Sequence, residues 1–379
     1  MDKKLDFKEK VLRFTKVTKK KTDKHVWIAI IVLIVLMYGT LWLGNPSEAK
    51  ENEKTDDTLL TATMVGDIMF GRHVEKVTKR HGHEYLFRYV KHYFEDADYS
   101  TGNFEHPVTF SKDYEEKEKN IHLQTDASSV DALKNLNFSV LNLANNHFMD
   151  YTEKGAEDTI ETFNRFDLNF VGGGLNLEEA SEIDYQEVND IKIATLGIAD
   201  AYVSNSNATD REPGVLPSDP ELFIPIIEEA SENAELVMVH VHWGGEYDTN
   251  PSPRQEGLAR AIADAGADII IGHHPHILQP VDVYNDTIIF YSLGNFIFDQ
   301  GWSSTRESAI VQYKLSESGV GQFELTPLLV KGATPTPLGN MSGYFRQKIF
   351  NRLTKDSSLT FSQENNKLTF TVDHSRITD

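Results

Sequence analysis

Residues 59–72 read LLTATMVGDIMFGR, an apolar run with strand character that stops at Gly66-Asp67 and turns through Gly71-Arg72. Four later stretches have the same form. An apolar run at 138–143 leads into Asn145-Asn146-His147, and one at 236–239 leads into His240-Val241-His242-Trp243-Gly244. Residues 269–271 precede Gly272-His273-His274-Pro275-His276, and 288–291 precede Ser292-Leu293-Gly294-Asn295. A shorter motif, Gly102-Asn103-Phe104-Glu105, belongs to the series. Polar residues at the carboxyl ends of successive strands are how an α/β scaffold assembles a single site. Asp, Asn, Glu and His together suit a borderline divalent cation, Zn, Mn or Fe.

Between these strands the apolar spacing turns helical at 85–94, 130–136, 154–166 and 255–265. Asn189-Asp190 and Asn285-Asp286 each separate two strand-like runs by two residues, which predicts hairpins. The result is an α/β domain over 58–333 whose sheets include antiparallel pairs. Gly172-Gly173-Gly174 lacks the Lys-Ser/Thr of a phosphate loop and reads as a tight strand-to-helix turn. In the extension 334–379 the pattern weakens to one helix near 341–353 and one strand pair around Asn365-Asn366.

The amino-terminal end is of a different kind. Residues 1–25 hold ten Lys/Arg, and 26–43 form an uncharged stretch containing Trp27, Tyr38 and Trp42. That length reaches the lower bound for a membrane span, with the aromatic residues as interfacial anchors. A cleaved leader fits less well, because the basic region is long and no small-residue cleavage pattern follows directly. The expectation is a single-pass cell-membrane protein with a cytoplasmic amino terminus and an extracellular carboxy-terminal domain, joined by a solvated linker at 44–57. The portion outside is strongly acidic, which argues against nucleic acid as a partner. There is no cysteine, so thiolate chemistry and disulfides are excluded.

In this order, and behind this kind of anchor, the motifs resemble the CapA (PgsA) proteins of poly-γ-glutamate capsule synthesis. CapA domains are similar to calcineurin-like metallophosphoesterases, so the resemblance implies a four-layer αββα sandwich with a site at the strand ends. It further implies an outward-facing component of a poly-γ-glutamate synthase, partnered by an ATP-dependent ligase, a small membrane protein and the polymer itself.

Residue by residue, the phosphoesterase pattern Asp-x-His is met by Asp67, with Met69 in place of the His. Gly-Asp becomes Gly102-Asn103, with Glu105 two residues on. Asn146-His147 is intact, the lone strand-end His is His242 with His240 as runner-up, and His-x-His is His274-Pro275-His276. The implied metal set is Asp67, Asn103, Glu105, Asn146, His242, His274 and His276, with His147 as general acid. Glu105 either replaces the missing bridging carboxylate or only orients a neighbouring His. Arg72 pairs with an acidic substrate or with Asp67, while Trp243, Glu246 and Asn295 are expected to wall the pocket. Three functions follow from one site: a metal-holding pocket that binds or guides the polymer, a metal-dependent hydrolase of a phosphoester or γ-glutamyl amide, or a scaffold that uses no metal.

Overall fold

The computed structural model describes residues 6–19, 21–43, 57–201 and 205–378, with the side chains of 36–43 and 341 outside that set. It divides into two units, Met1–Pro46 and Ser47–Asp379. The first holds two helices, Phe7–Lys19 and Thr22–Leu43. Among the described residues no helix is long and apolar enough to cross a membrane. The span expected over 26–43 falls partly on side chains outside the described residues, and the expected linker falls almost wholly outside them.

In the second unit, four parallel strands form the heart of the first sheet: β1 Thr58–Ile68, β2 Tyr99–Phe104, β3 Val140–Asn142 and β4 Asn169–Val171. Beyond β1 the sheet continues antiparallel through Glu307–Ser316, Val320–Lys331, Lys367–Asp373 and Ser362–Glu364. β1 is buried from Leu60 onward, which is why its sequence reads as a nearly continuous apolar run. In the second sheet Thr287–Phe290, Ile269–His273, Leu236–His242 and Ile191–Ala199 run parallel. Antiparallel hairpin strands Val281–Tyr284 and Asp184–Val188 close its two edges. Both predicted two-residue turns are present: Asn189, Asp190, Asn285 and Asp286 all have positive φ, as a turn matched to strand twist requires.

Leu60, Ala62 and Met64 of β1 share one buried cluster with Ile193, Met238, Ile271 and Phe290 of the second sheet. The two sheets therefore face each other across an apolar core. Helices Arg72–His81, Ser128–Asn135 and Thr152–Arg165 cover the outer face of the first sheet through Val74, Val130, Leu133 and Phe163. Helices Pro220–Asn233 and Pro253–Asp264 cover the second through Phe223, Ile227, Leu258 and Ile262. The layers run helix, sheet, sheet, helix. Gly172 stands at a close approach of the two sheets: at φ +78°, an added Cβ would lie 2.6 Å from the Ala144 Cβ and 2.7 Å from the Gly197 carbonyl. The triple glycine thus serves backbone packing.

Two expectations change. The single helix at 85–94 is two short ones, Glu84–Phe87 and Lys91–Glu95, because Val90 leaves the helical region at φ −126°. The break lets both Leu86-Phe87 and Tyr93-Phe94 reach the core. The stretch 334–378 is woven into the domain: Lys367–Asp373 pairs along Val320–Lys331, and Ile349, Phe350, Leu353, Leu368 and Phe370 join the core between the sheets. Its turn is again two residues of positive φ, Asn365-Asn366. Truncation after Ala333 is therefore expected to abolish cooperative unfolding. A thermal melt of the truncated chain followed by circular dichroism checks this, and a sharp wild-type-like transition would contradict it.

Candidate metal centre

Strand register brings the motifs together. Asp67 pairs with Asn103 on one side and Asn295 on the other, Asn103 pairs with Asn142, and His242 pairs with His273. Four motifs from the first sheet thus meet two from the second, all but that of Asn295, which begins its strand, at the carboxyl ends of their strands. Asp67, Glu105, His242, His274 and His276 are all buried.

Ligand atoms of Asp67, Glu105 and His276 lie within 4.8 Å of one another, and so do those of Glu105, His242 and His274. Glu105 belongs to both groups. Neither of its oxygens has a hydrogen-bond partner among the described residues; its closest ion pair is His276 Nε2 at 3.5 Å. Burial, reinforced by the negative charge of Asp67, pushes the Glu105 carboxyl well above the usual carboxylate range. Burial would also raise Asp67, but the imidazoles of His273 and His276 outweigh it and hold that carboxyl well below its ordinary value. His276 resists the desolvation that favours its neutral form. Glu105 and Asp67 hold its proton up to about 9.

His242 and His274 behave in the opposite way. Desolvation, then the proximity of another histidine, drives both down, His274 to about 3. They are neutral imidazoles, the form that binds a cation. His274 Nδ1 is buried without a hydrogen-bond partner among the described residues. A pair of crowded buried carboxylates beside orphaned imidazole nitrogens fits a divalent cation, whose charge would satisfy all of them. His274 and His276 sit at φ +94° and +56° on either side of Pro275. Such conformations cost about 1–3 kcal/mol each and persist where surrounding structure holds them.

His147 stands apart from both groups as a supported histidine. Its Nδ1 is 2.7 Å from Asp150 Oδ2, and Asp150 also accepts from the Leu123 backbone N–H at 2.6 Å. The Lys119 ammonium pairs with the other Asp150 oxygen and donates to the Asn146 carbonyl at 2.9 Å. With Nδ1 held by Asp150, Nε2 is left to exchange a proton. Burial lowers the His147 pKa despite Asp150. Sequence reasoning missed Asp150 and Lys119. A His-x-x-Asp spacing was the available signal for the first; nothing local marks the second, which arrives from an irregular loop.

A family model described as bacterial capsule synthesis protein PGA_cap matches residues 61–300. The chain belongs to that family. It is 52% identical over 377 residues, covering 99% of this chain and 98% of the relative, to the PGA biosynthesis protein CapA of Bacillus subtilis (strain 168). It is 45% identical to the capsule biosynthesis protein CapA of Bacillus anthracis, over 100% of this chain and 93% of the relative. Among solved structures, a 5'-nucleotidase from Candida albicans SC5314 aligns over 80% of this chain and 56% of its own, at 10% identity and a TM-score of 0.40.

Within this PGA_cap domain the remaining expected residues take several positions. Asn146 Oδ1 lies 3.0 Å from His242 Nε2. Asn103 directs its Nδ2 at Asp67 Oδ1, 2.9 Å away, while its Oδ1 accepts from Asn142 at 2.9 Å. A carboxylate can only accept, so the amide must face Asp67. Asn103 is therefore placed to orient Asp67, in contrast to the ligand role expected of it. Asn295 Oδ1 is 3.0 Å from His276 Nδ1, and its amide donates to Gln300 at 3.1 Å. His240 engages both ring nitrogens elsewhere, 2.7 Å from Thr101 Oγ1 and 2.9 Å from His273 Nε2, so the runner-up is no ligand.

Arg72 pairs with Asp299, not Asp67, at 3.1 Å through Nε. Glu246 is exposed near the mouth, where its charge acts on His276 and Glu105. Trp243 is a correction. It is fully buried, donates to the Tyr291 carbonyl at 2.9 Å and packs in the core outside the second sheet. The aromatic residues at the mouth are instead Tyr247 and Trp302, 39% and 55% exposed, with ring centroids 5.2 Å apart. Tyr247 also packs against His276, centroids 6.4 Å apart.

Proposed function

We propose that this chain serves poly-γ-glutamate capsule synthesis or export as a membrane-anchored, outward-facing component of the synthase, through a pocket that holds divalent cations. The observation that carries the pocket is Glu105, a buried carboxylate without a hydrogen-bond partner among the described residues, shared by two groups of candidate ligands. Asp67, Glu105 and His276 would hold one cation, and Glu105, His242 and His274 a second. Bound cations would supply positive charge to a strongly acidic domain, enough to receive carboxylates of an acidic polymer. The names of the two CapA relatives support the polymer assignment, and the matched lengths support carrying it over the whole chain.

The His147–Asp150 pair favours a second reading, a metal-dependent hydrolase of a phosphoester or γ-glutamyl amide. A histidine held at Nδ1 and free at Nε2 can protonate a leaving group. Activity of the purified protein on a generic phosphodiester and on polyglutamate separates hydrolase from binder.

In cells, His276→Ala is expected to reduce polymer production strongly, while His73→Ala and His81→Ala, outside the site, leave it unchanged. Polymer yield at matched protein levels is the readout. Normal polymer from the His276 variant would overturn the role of the pocket. The anchor has its own test. Protease added outside intact cells should remove the globular domain and spare the basic flank, whereas a protected domain would refute the proposed orientation.

A further inference from the structure

The helix Phe7–Lys19 belongs to the first unit, Met1–Pro46, and none of its residues is buried. At 3.6 residues per turn, Phe7, Val11, Phe14 and Thr18 fall within about 60° of one another on its surface. Phe7, Val11 and Phe14 are 77%, 46% and 70% exposed. Thr18 donates its hydroxyl to the Phe14 carbonyl at 2.8 Å, and Thr15 donates to the Val11 carbonyl at 3.0 Å. Both hydroxyls are thus satisfied by the helix itself, and the stripe presents no polar group that needs a partner. Lys8 and Lys19 border the stripe on one side and Lys10 on the other, with Arg13 and Lys16 behind it. Glu9 is the single acidic residue of the helix.

A contiguous apolar stripe rimmed by polar residues marks a surface that something else covers. Charge says what the cover is. Five basic residues against one acidic residue call for an anionic surface. Lysines at the border of the stripe can lay their methylenes along it while their ammonium groups reach the anions. The uncharged stretch 26–43 begins seven positions after Lys19. On the anchor reading this holds the helix beside a bilayer at all times, and so near a connection favours lipid over any dissolved partner through effective concentration.

We infer that the helix Phe7–Lys19 lies flat on an anionic phospholipid surface, with Phe7, Val11 and Phe14 seated below the headgroups and its basic residues among the lipid phosphates. Helices of this kind sink their apolar face about 5–10 Å into the headgroup boundary. The inference rests on the proposed anchor and adds a second attachment to it, in the proposed orientation on the cytoplasmic leaflet. Thirteen residues are marginal for a free helix in water, so the surface also supplies stability that the sequence lacks on its own.

The test uses the full-length chain with vesicles of phosphatidylcholine alone or of equal parts phosphatidylcholine and phosphatidylglycerol. The chain has no cysteine, so Thr18→Cys and Lys16→Cys each carry a polarity-sensitive fluorophore at one position, on the apolar stripe and opposite it. On the mixed vesicles the label at 18 should report an apolar environment and the label at 16 water; on phosphatidylcholine alone both should report water. Lys8→Gln/Lys10→Gln should lower the ratio of docked to free helix about 25-fold, at roughly 5-fold for each charge removed. Glutamine matches lysine in helix propensity, so this loss is not one of folding. Raised salt should release the helix with its lysines unaltered. A label at 18 that stays in water on the mixed vesicles would overturn the inference. So would equal shielding on both lipids, which would assign the stripe to a protein contact. Release of the chain by alkaline carbonate would remove the anchor reading, and the two labels on vesicles added to the chain would then decide the helix alone.

Discussion

Glu105→Gln is expected to make the metal-free protein more stable and the metal-loaded protein unattainable. In the metal-free chain Glu105 brings a second carboxylate beside Asp67, with His276 as the cation between them. Removing it leaves Asp67 and His276 as a balanced pair. The carboxyl is raised even with the attraction of His276 included, so its net environment opposes ionisation. The folded state therefore binds a proton that the unfolded chain releases near its ordinary pKa. Stability of the wild type falls as pH rises from that ordinary value through the raised one. Glutamine has no such dependence, so the advantage of the variant should vanish in mild acid and grow toward neutral and alkaline pH.

An unpaired buried group of this kind costs about 1–3 kcal/mol, which sets the expected gain. Thermal melts in chelator at several pH values measure it. With Mn²⁺ or Zn²⁺ added the order should invert, because the variant has lost the one carboxylate common to both ligand groups. Equal melting temperatures in chelator, or equal stabilisation of both proteins by metal, would contradict the shared role of Glu105.

Trp243→Ala is expected to destabilise the domain by about 3–5 kcal/mol, the range for truncating a buried aromatic side chain. Trp243 fills the core outside the second sheet with Tyr291 stacked 5.8 Å away, and its indole N–H satisfies the Tyr291 carbonyl. Gly272 makes room for it: an added Cβ there would lie 2.6 Å from the indole nitrogen. The effect should appear as a lowered denaturation midpoint with no specific loss of metal affinity in the fraction that remains folded. A variant of wild-type stability would restore Trp243 to the pocket wall that its sequence position implies.

That misplacement shows where local pattern stops being informative. Trp243-Gly244 follows a strand-end histidine, and nothing in the string says which way the chain turns next. The answer comes from Gly272, which is distant in sequence and paired through a neighbouring strand. His240 and His242 are a similar case. Their alternation places both on one face, as expected from the period of a strand. Which of them reaches the pocket depends on register: His242 lies opposite His273 at the strand ends, while His240 lies two pairs deeper, opposite Ile271, and meets Thr101.

Other features were legible because their causes are local. The buried run of β1 followed by Gly66-Asp67, the two-residue Asn-Asp turns and the apolar helical spacing over 255–265 all signal themselves within a few residues. The helix Pro253–Asp264 starts at a capping box, Ser252 with Gln255, which the apolar spacing did not mark. Asn103 and Glu105 mark the boundary between the two kinds of inference. Their spacing puts both on one face, but their different roles come from Asn142 and Asp67 in one case and two sets of histidines in the other. Those partners meet only when the sheets pack.

Metal content of the purified full-length chain tests most directly whether the pocket holds cations. After loading with excess Mn²⁺ or Zn²⁺ and removal of free ion, elemental analysis should find two ions per chain in the wild type. The double variant His274→Ala/His276→Ala should hold none while remaining folded by circular dichroism. A wild-type chain that emerges metal-free from the same treatment, yet supports normal polymer production in cells, would contradict the account and leave the histidines as parts of a scaffold.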